Sequence, residues 1–204
     1  MTKRPKVLLI GWDAADWKII EPLMAQGQMP TLKKFLSEGV HGNLATLQPV
    51  LSPMLWTSIA TGKRAWQHGI HGFVELNAEG SELQPVNVTS RKVKAVWNIL
   101  NQKGYRSNVV SWWPSHPAEP INGAMVSNFY QKEGNAFPPD WDLTPATVHP
   151  PELYEKLKSL RFHPSELTGS MLLPFVKKAA EIEIEKDKTM QGVMRILSHA
   201  SSVH

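Results

Sequence analysis

The chain contains no cysteine, which excludes disulfides, thiolate metal centres and thiol nucleophiles. Any site must be built from histidines, carboxylates and hydroxyls. Long hydrophobic runs are missing too. The apolar stretch at residues 7–10 meets Gly11, Trp12 and Asp13, so it is too short for a signal-peptide core and far from the ~18 residues of a membrane span. No block of like charge stands out. The 22 basic and 18 acidic residues leave a net charge of +4, but the basic residues are scattered, and "TKRPK" at the start reads as a solvated end. Internal repeats and low-complexity segments are absent. These absences predict a soluble, cytoplasmic protein that binds neither nucleic acid nor membrane. With 204 residues and 42% hydrophobic content, one ordinary domain can bury roughly 70% of its unfolded surface.

Along the chain, "KVLLIGWDAADW" reads as a buried strand ending near Asp13, and "ADWKIIEPLMAQG" as the helix after it. "MPTLKKFLSEG" predicts a second helix, with Thr31 near its start and Gly39 as its stop, and "VHGNLATLQP" returns toward strand character. Ser52 and Pro53 form a helix-start signature for "PMLWTSIAT", which Gly62 ends. "SRKVKAVWNILNQKG" predicts an amphipathic helix stopped by Gly104, and "YRSNVVSWW" and "GAMVSNF" predict strands. Strands alternating with helices argue a mostly parallel sheet covered on both faces. Residues 134–151 read as one long loop rich in proline, and apolar residues recur near helical spacing over 174–197, with a local strand alternative at "EIEIE". The chain ends on "SHASSVH" with no strand to use that helix as a crossover, so these residues are expected to be the front part of a longer protein.

Two residues draw chemical interest. Asp13 falls where the first strand should end, the edge at which open α/β sheets gather ligands, and its carboxylate suits a divalent cation. It equally suits a cap for the next helix. Ser52 has a matching pair of readings: an N-cap, or a nucleophile at the positive end of a helix, activated by a metal that Asp13 helps to bind. Thr57 and Ser58 read as packing or backbone-bonded hydroxyls. His68, beside Gly69, reads as support for the site, with metal ligation as the alternative, and His71, His116, His149 and His163 show no metal-ligand spacing. Lys63 and Arg64 read as solvated charge, with contact to a substrate phosphate as the alternative. The eight tryptophans, including the pair Trp112–Trp113, point to a large core, with an aromatic-lined groove as the alternative.

Taken together, "VLLIGWDAADW", "MPTLKKFLSEGV" and "LSPMLWTSIATGKRAWQHGIHGF" resemble the type I phosphodiesterase and nucleotide pyrophosphatase branch of the alkaline phosphatase superfamily. The resemblance implies an alkaline-phosphatase-like α/β fold: three α/β/α layers around a mostly parallel, doubly wound sheet, of which this chain would hold the N-terminal portion. It implies a metal-dependent phosphoester hydrolase with Ser52 as nucleophile, Asp13 and Ser52 on the metal, and a covalent phosphoserine. The cofactors would be two divalent ions ~4 Å apart, zinc or manganese, and the substrate a small phosphoester. The family's later Asp-x-x-x-His and Asp-His ligands are absent from the chain, and Gly72 and Phe73 stand where nucleotide pyrophosphatases carry a phosphate-binding Asn. The second half of the ligand set would therefore come from a missing C-terminal portion, and the isolated chain is expected to turn over little. The competing expectation is a non-catalytic phosphate- or partner-binding module of the same fold. A sulfatase-like relative is disfavoured because "SPMLW" lacks the arginine of that motif.

Overall fold

The computed structural model describes residues 6–132 and 142–161, together with Glu166 and Thr168. The expectations for 174–197, His163 and the chain end lie outside them. The chain divides into two units, Met1–Leu47 and Gln48–His204.

In the first unit, helix α1 spans Trp17–Ala25 and α2 spans Pro30–Glu38. Asp16 sits in extended backbone and its carboxylate accepts from the N–H of Lys18 at 2.9 Å, satisfying a donor that the first turn of α1 leaves over. Helix α2 opens on Pro30, where a missing N–H costs nothing, and stops at Gly39 as expected. The strands expected at 7–10 and in "VHGNLATLQP" do not form: neither segment has regular secondary structure, and Val7 and Leu8 are 90% and 83% exposed. A strand exists only where a neighbour completes its hydrogen-bond ladder. Among the described residues no strand pairs with either segment.

The second unit begins with helix α3, Ser52–Thr61, followed by the short helix α4, Ala65–His68. Pro53, Met54, Thr57 and Ala60 line the buried face of α3 at helical spacing, and the helix ends at Gly62. Strands β1 (Val74–Leu76) and β2 (Leu83–Pro85) form an antiparallel hairpin that the sequence reading missed. The side-chain oxygen of Asn77 holds its turn by accepting from the N–H of Ser81 at 2.9 Å. Helix α5, Val96–Gln102, is shorter than expected. It starts late because Asn98 Oδ1 takes the Ala95 N–H at 2.8 Å and fixes the cap there.

Strands β3 (Ser107–Val110) and β4 (Gly123–Val126) are parallel, and β5 (Val148–His149) adds antiparallel to β4. The chain is thus mixed α/β, with one parallel pair in a three-stranded mixed sheet among the described residues. Residues 148–149, expected as loop, form the short β5. The connection 111–122 between β3 and β4 carries no helix.

The core forms where α3, α5 and this sheet meet: Ala60, Ala95, Trp97, Val109, Ile121 and Met125 are all buried together. Trp112 packs against that cluster, edge-on to Trp56 at 5.3 Å and to Trp97 at 5.9 Å. Its Nε1–H donates to the Trp56 carbonyl at 3.0 Å, as a half-buried indole favours. Glu119, only 20% exposed, is tolerated because Arg91, Trp97 and Asn98 all donate to it, at 2.7, 2.8 and 3.0 Å.

Gly123 opens β4 at φ 142°, and a Cβ there would stand 1.8 Å from the Ser107 carbonyl oxygen of the paired strand. Gly123→Ala is therefore expected to destabilise the protein by more than about 2 kcal/mol. Chemical denaturation followed by far-UV circular dichroism measures this; a change within about 0.5 kcal/mol would show that the register is not held this tightly.

Candidate functional site

Asp13 belongs to the unit Met1–Leu47 and Ser52 to the unit Gln48–His204, so each is described where it stands. The Asp13 carboxylate accepts from the N–H of Ala14 at 2.9 Å, in a turn where Ala14 adopts φ 55°. The cap of α1 is Asp16, so the capping reading of Asp13 does not hold. Its carboxylate belongs to the turn that precedes the helix.

Ser52, half-buried, is the first residue of α3, and Leu51 takes the N-cap position in extended backbone with no side-chain cap bond. The Leu51 carbonyl accepts from Leu55 N–H at 3.0 Å, which draws Ser52 inside the helix and replaces the expected N-cap role. Pro53 has no N–H to offer. The amides that α3 leaves outside its own ladder at this end are those of Ser52 and Met54. Further along, Thr57 Oγ1 donates to the Pro53 carbonyl at 2.7 Å, the backbone-bonded role expected of it.

Ser58 has a different partner. Its Oγ lies 3.0 Å from Nε2 of His68, and Nδ1 of the same ring accepts the N–H of Ile70 at 3.1 Å. A nitrogen that accepts cannot carry the proton, so the proton sits on Nε2 and His68 donates to Ser58. This polarity is opposite to that of a serine nucleophile and its base, in which the ring accepts from the hydroxyl. The pair is a fastener between α3 and the turn after α4. His68 is fully buried, and its pKa is lowered by desolvation first and by the charge of His71 second, opposed by a bond to the Met54 backbone. Gly69 makes this turn possible: at φ 88° any side chain would be strained, and a Cβ would meet Lys92 Cδ at 2.9 Å.

Lys63 and Arg64 are exposed at the end of α3. His149 donates from Nε2 to the Ile121 carbonyl at 3.1 Å, a structural tie across the sheet.

A second histidine sits past the carboxyl ends of the parallel strands. His116 Nδ1 is 3.2 Å from Ser127 Oγ, and its ring stacks on Phe129 with centroids 4.1 Å apart and planes 6° from parallel. Burial lowers its pKa, and the charge of Lys132 lowers it further. Sequence reasoning passed over this pair because His116 and Ser127 stand on different segments, one leaving β3 and the other leaving β4, that only the sheet brings together. The available signal was that each follows closely on a strand end.

A metal centre needs three or four converging donors. Among the described residues no group of three or more histidines, aspartates and glutamates comes together to hold an ion. Asp13 can supply one carboxylate, so these residues do not by themselves fit a two-metal site. Also among them, no helix is long and apolar enough to cross a membrane.

A family model described as type I phosphodiesterase / nucleotide pyrophosphatase matches residues 7–191 of the chain. Comparisons with curated proteins and with solved structures return no match.

The lowered pKa values of His68 and His116 have a thermodynamic consequence. The unfolded chain keeps the ordinary value of 6.5, so below that pH it binds more protons than the folded protein, and acidification favours unfolding. The melting temperature is expected to hold steady above pH ~7 and to fall as the pH drops through and below 6.5. His68→Gln should cost about 1–3 kcal/mol at neutral pH by orphaning the buried Ile70 N–H, and should flatten the acid limb of that profile. A variant profile parallel to that of the parent would remove His68 as its source.

Proposed function

Because the chain belongs to the type I phosphodiesterase / nucleotide pyrophosphatase family, we propose that it is a phosphoester hydrolase in which Ser52 Oγ attacks phosphorus. Attack forms one P–O bond to Ser52 as the ester P–O bond breaks, and water then hydrolyses the phosphoserine. The start of α3 is the observation that supports this reading: Ser52 occupies the first helical position, no side chain caps that end, and the Ser52 and Met54 amides stand outside the helix ladder. The positive end of the helix dipole suits the oxygens of a phosphoryl group.

Members of this family generally depend on metal ions. On the same proposal Asp13 gives one ligand to a divalent ion, zinc or manganese, the pair of ions requires donors beyond the described residues, and the ions supply charge neutralisation at the oxygens. The three-layer, doubly wound arrangement of an alkaline-phosphatase-like domain, of which these residues form the N-terminal portion, and a cytoplasmic location are parts of this proposal, as is a small phosphoester as substrate.

The test is hydrolysis of bis(p-nitrophenyl) phosphate by the full-length protein, which would carry the second half of the ligand set, with zinc or manganese added, against Ser52→Ala. The variant is expected to lose at least about a thousandfold in kcat, and mass spectrometry of quenched reactions should find phosphoserine at Ser52 in the parent alone. Equal rates in both proteins would take Ser52 out of the mechanism. Phosphate binding with no turnover in either protein is the behaviour of a non-catalytic module.

A further inference from the structure

We propose that His116 is a substrate-binding residue, whose Nε2 meets a phosphoester oxygen at the carboxyl edge of β3 and β4. Both strands end at this edge, β3 at Val110 and β4 at Val126, and such edges are where α/β sheets hold ligands. The chain leaving β3 carries His116, and the chain leaving β4 carries Ser127, Asn128 and Phe129.

The ring is held from several directions. Nδ1 is engaged by Ser127 Oγ, which is fully buried and itself accepts from the Phe129 N–H at 3.3 Å. Asn128 Oδ1 accepts from the N–H groups of Ser115 and His116 at 2.9 and 3.0 Å, and the Asn128 N–H returns a bond to Ser115 Oγ at 3.0 Å. The His116 carbonyl takes the Val88 N–H at 2.9 Å, and Phe129 covers one face of the imidazole. A side chain held so completely at one nitrogen has the marks of a preorganised site group. The other nitrogen is unused. Nε2 has no hydrogen bond among the described residues and is not among their buried unpartnered atoms, so it reaches solvent. His68, with both nitrogens consumed, shows what a purely structural histidine looks like here.

Charge favours an oxyanion over a cation. Lys132 Nζ lies 4.2 Å from the centre of the Phe129 ring, and the nearby carboxylate of Glu119 is already tied to Arg91, Trp97 and Asn98. When Ser127 donates to Nδ1, Nε2 carries the proton and donates to the anion; rotation of one hydroxyl sets this tautomer. The same loop is tied to α3, since Trp112 bonds the Trp56 carbonyl, and Trp113 packs on Phe73. The choice of a phosphoester as ligand rests on the Ser52 reading; the presence of an oxyanion site at His116 does not.

Nitrogen–proton correlation spectra of the imidazoles and of the backbone, recorded on the full chain as inorganic phosphate is added, read the two places separately. The His116 Nε2 resonance is expected to shift saturably in the parent and in Ser52→Ala alike. His116→Asn should weaken phosphate binding, followed by phosphorus line width, about tenfold or more. Shifts of the Ser52 and Met54 amides with His116 Nε2 unmoved would overturn the role of His116 and leave the Ser52 reading standing. A response at His116 with those amides still would support His116 and count against Ser52. No shift at either place would overturn both.

Discussion

The indole of Trp112 joins three elements that the chain keeps far apart. It contacts Trp56 on α3 and Trp97 on α5 edge-on, follows directly on β3, and spends its one N–H on the α3 backbone. Aromatic edges and a donor with a single direction restrict the approach of α3 to the sheet more than aliphatic packing would. This contact ties α3 to the loop that carries His116. Arg91, Asn98 and Glu119 hold the far end of that loop on α5, so a connection without secondary structure is nevertheless held at both ends.

Two histidines show how identical chemistry acquires different uses. His68 sits between a backbone N–H and a serine hydroxyl, fully buried, and its proton is confined to one nitrogen. It fastens the turn after α4 to α3 and has nothing left to offer a ligand. His116 is just as constrained at Nδ1 but keeps Nε2, and its neighbouring charge is positive. Position relative to the strand ends separates them: His68 closes a helix turn, whereas His116 stands at the edge where parallel strands deliver side chains to a ligand.

Much of the second unit was legible from local pattern. Helix α3 ends at Gly62, β3 and β4 fall in "YRSNVVSWW" and "GAMVSNF", and they pair parallel, because glycine punctuation and apolar runs are local signals. Strand formation at 7–10 was not legible in the same way. Its residues are good strand formers, but pairing is a property of two segments, and among the described residues the partner is lacking. The cap positions were misjudged by small steps: Asp16 replaced Asp13, and Leu51 replaced Ser52, since a cap depends on which carbonyl closes the first turn. Asn98, three residues past Ala95, likewise set the start of α5 later than apolar spacing suggested.

What the sequence by itself determined is the composition of any site and the family to which it belongs. With no cysteine, only hydroxyls, imidazoles and carboxylates were available, and the spacing from "VLLIGWDAADW" to "HGIHGF" already carried the family resemblance that a family model matches over residues 7–191. Tertiary structure decided which of those groups are spent and which are free to act. The Ser58–His68 and His116–Ser127 pairs depend on hydrogen bonds between segments 10 and 11 residues apart, and whether a ring nitrogen is left over, as at His116, or none, as at His68, follows from which neighbours reach the ring. No local pattern records that, because the direction of a hydrogen bond is set only when both partners have been brought to one place by the packing around them.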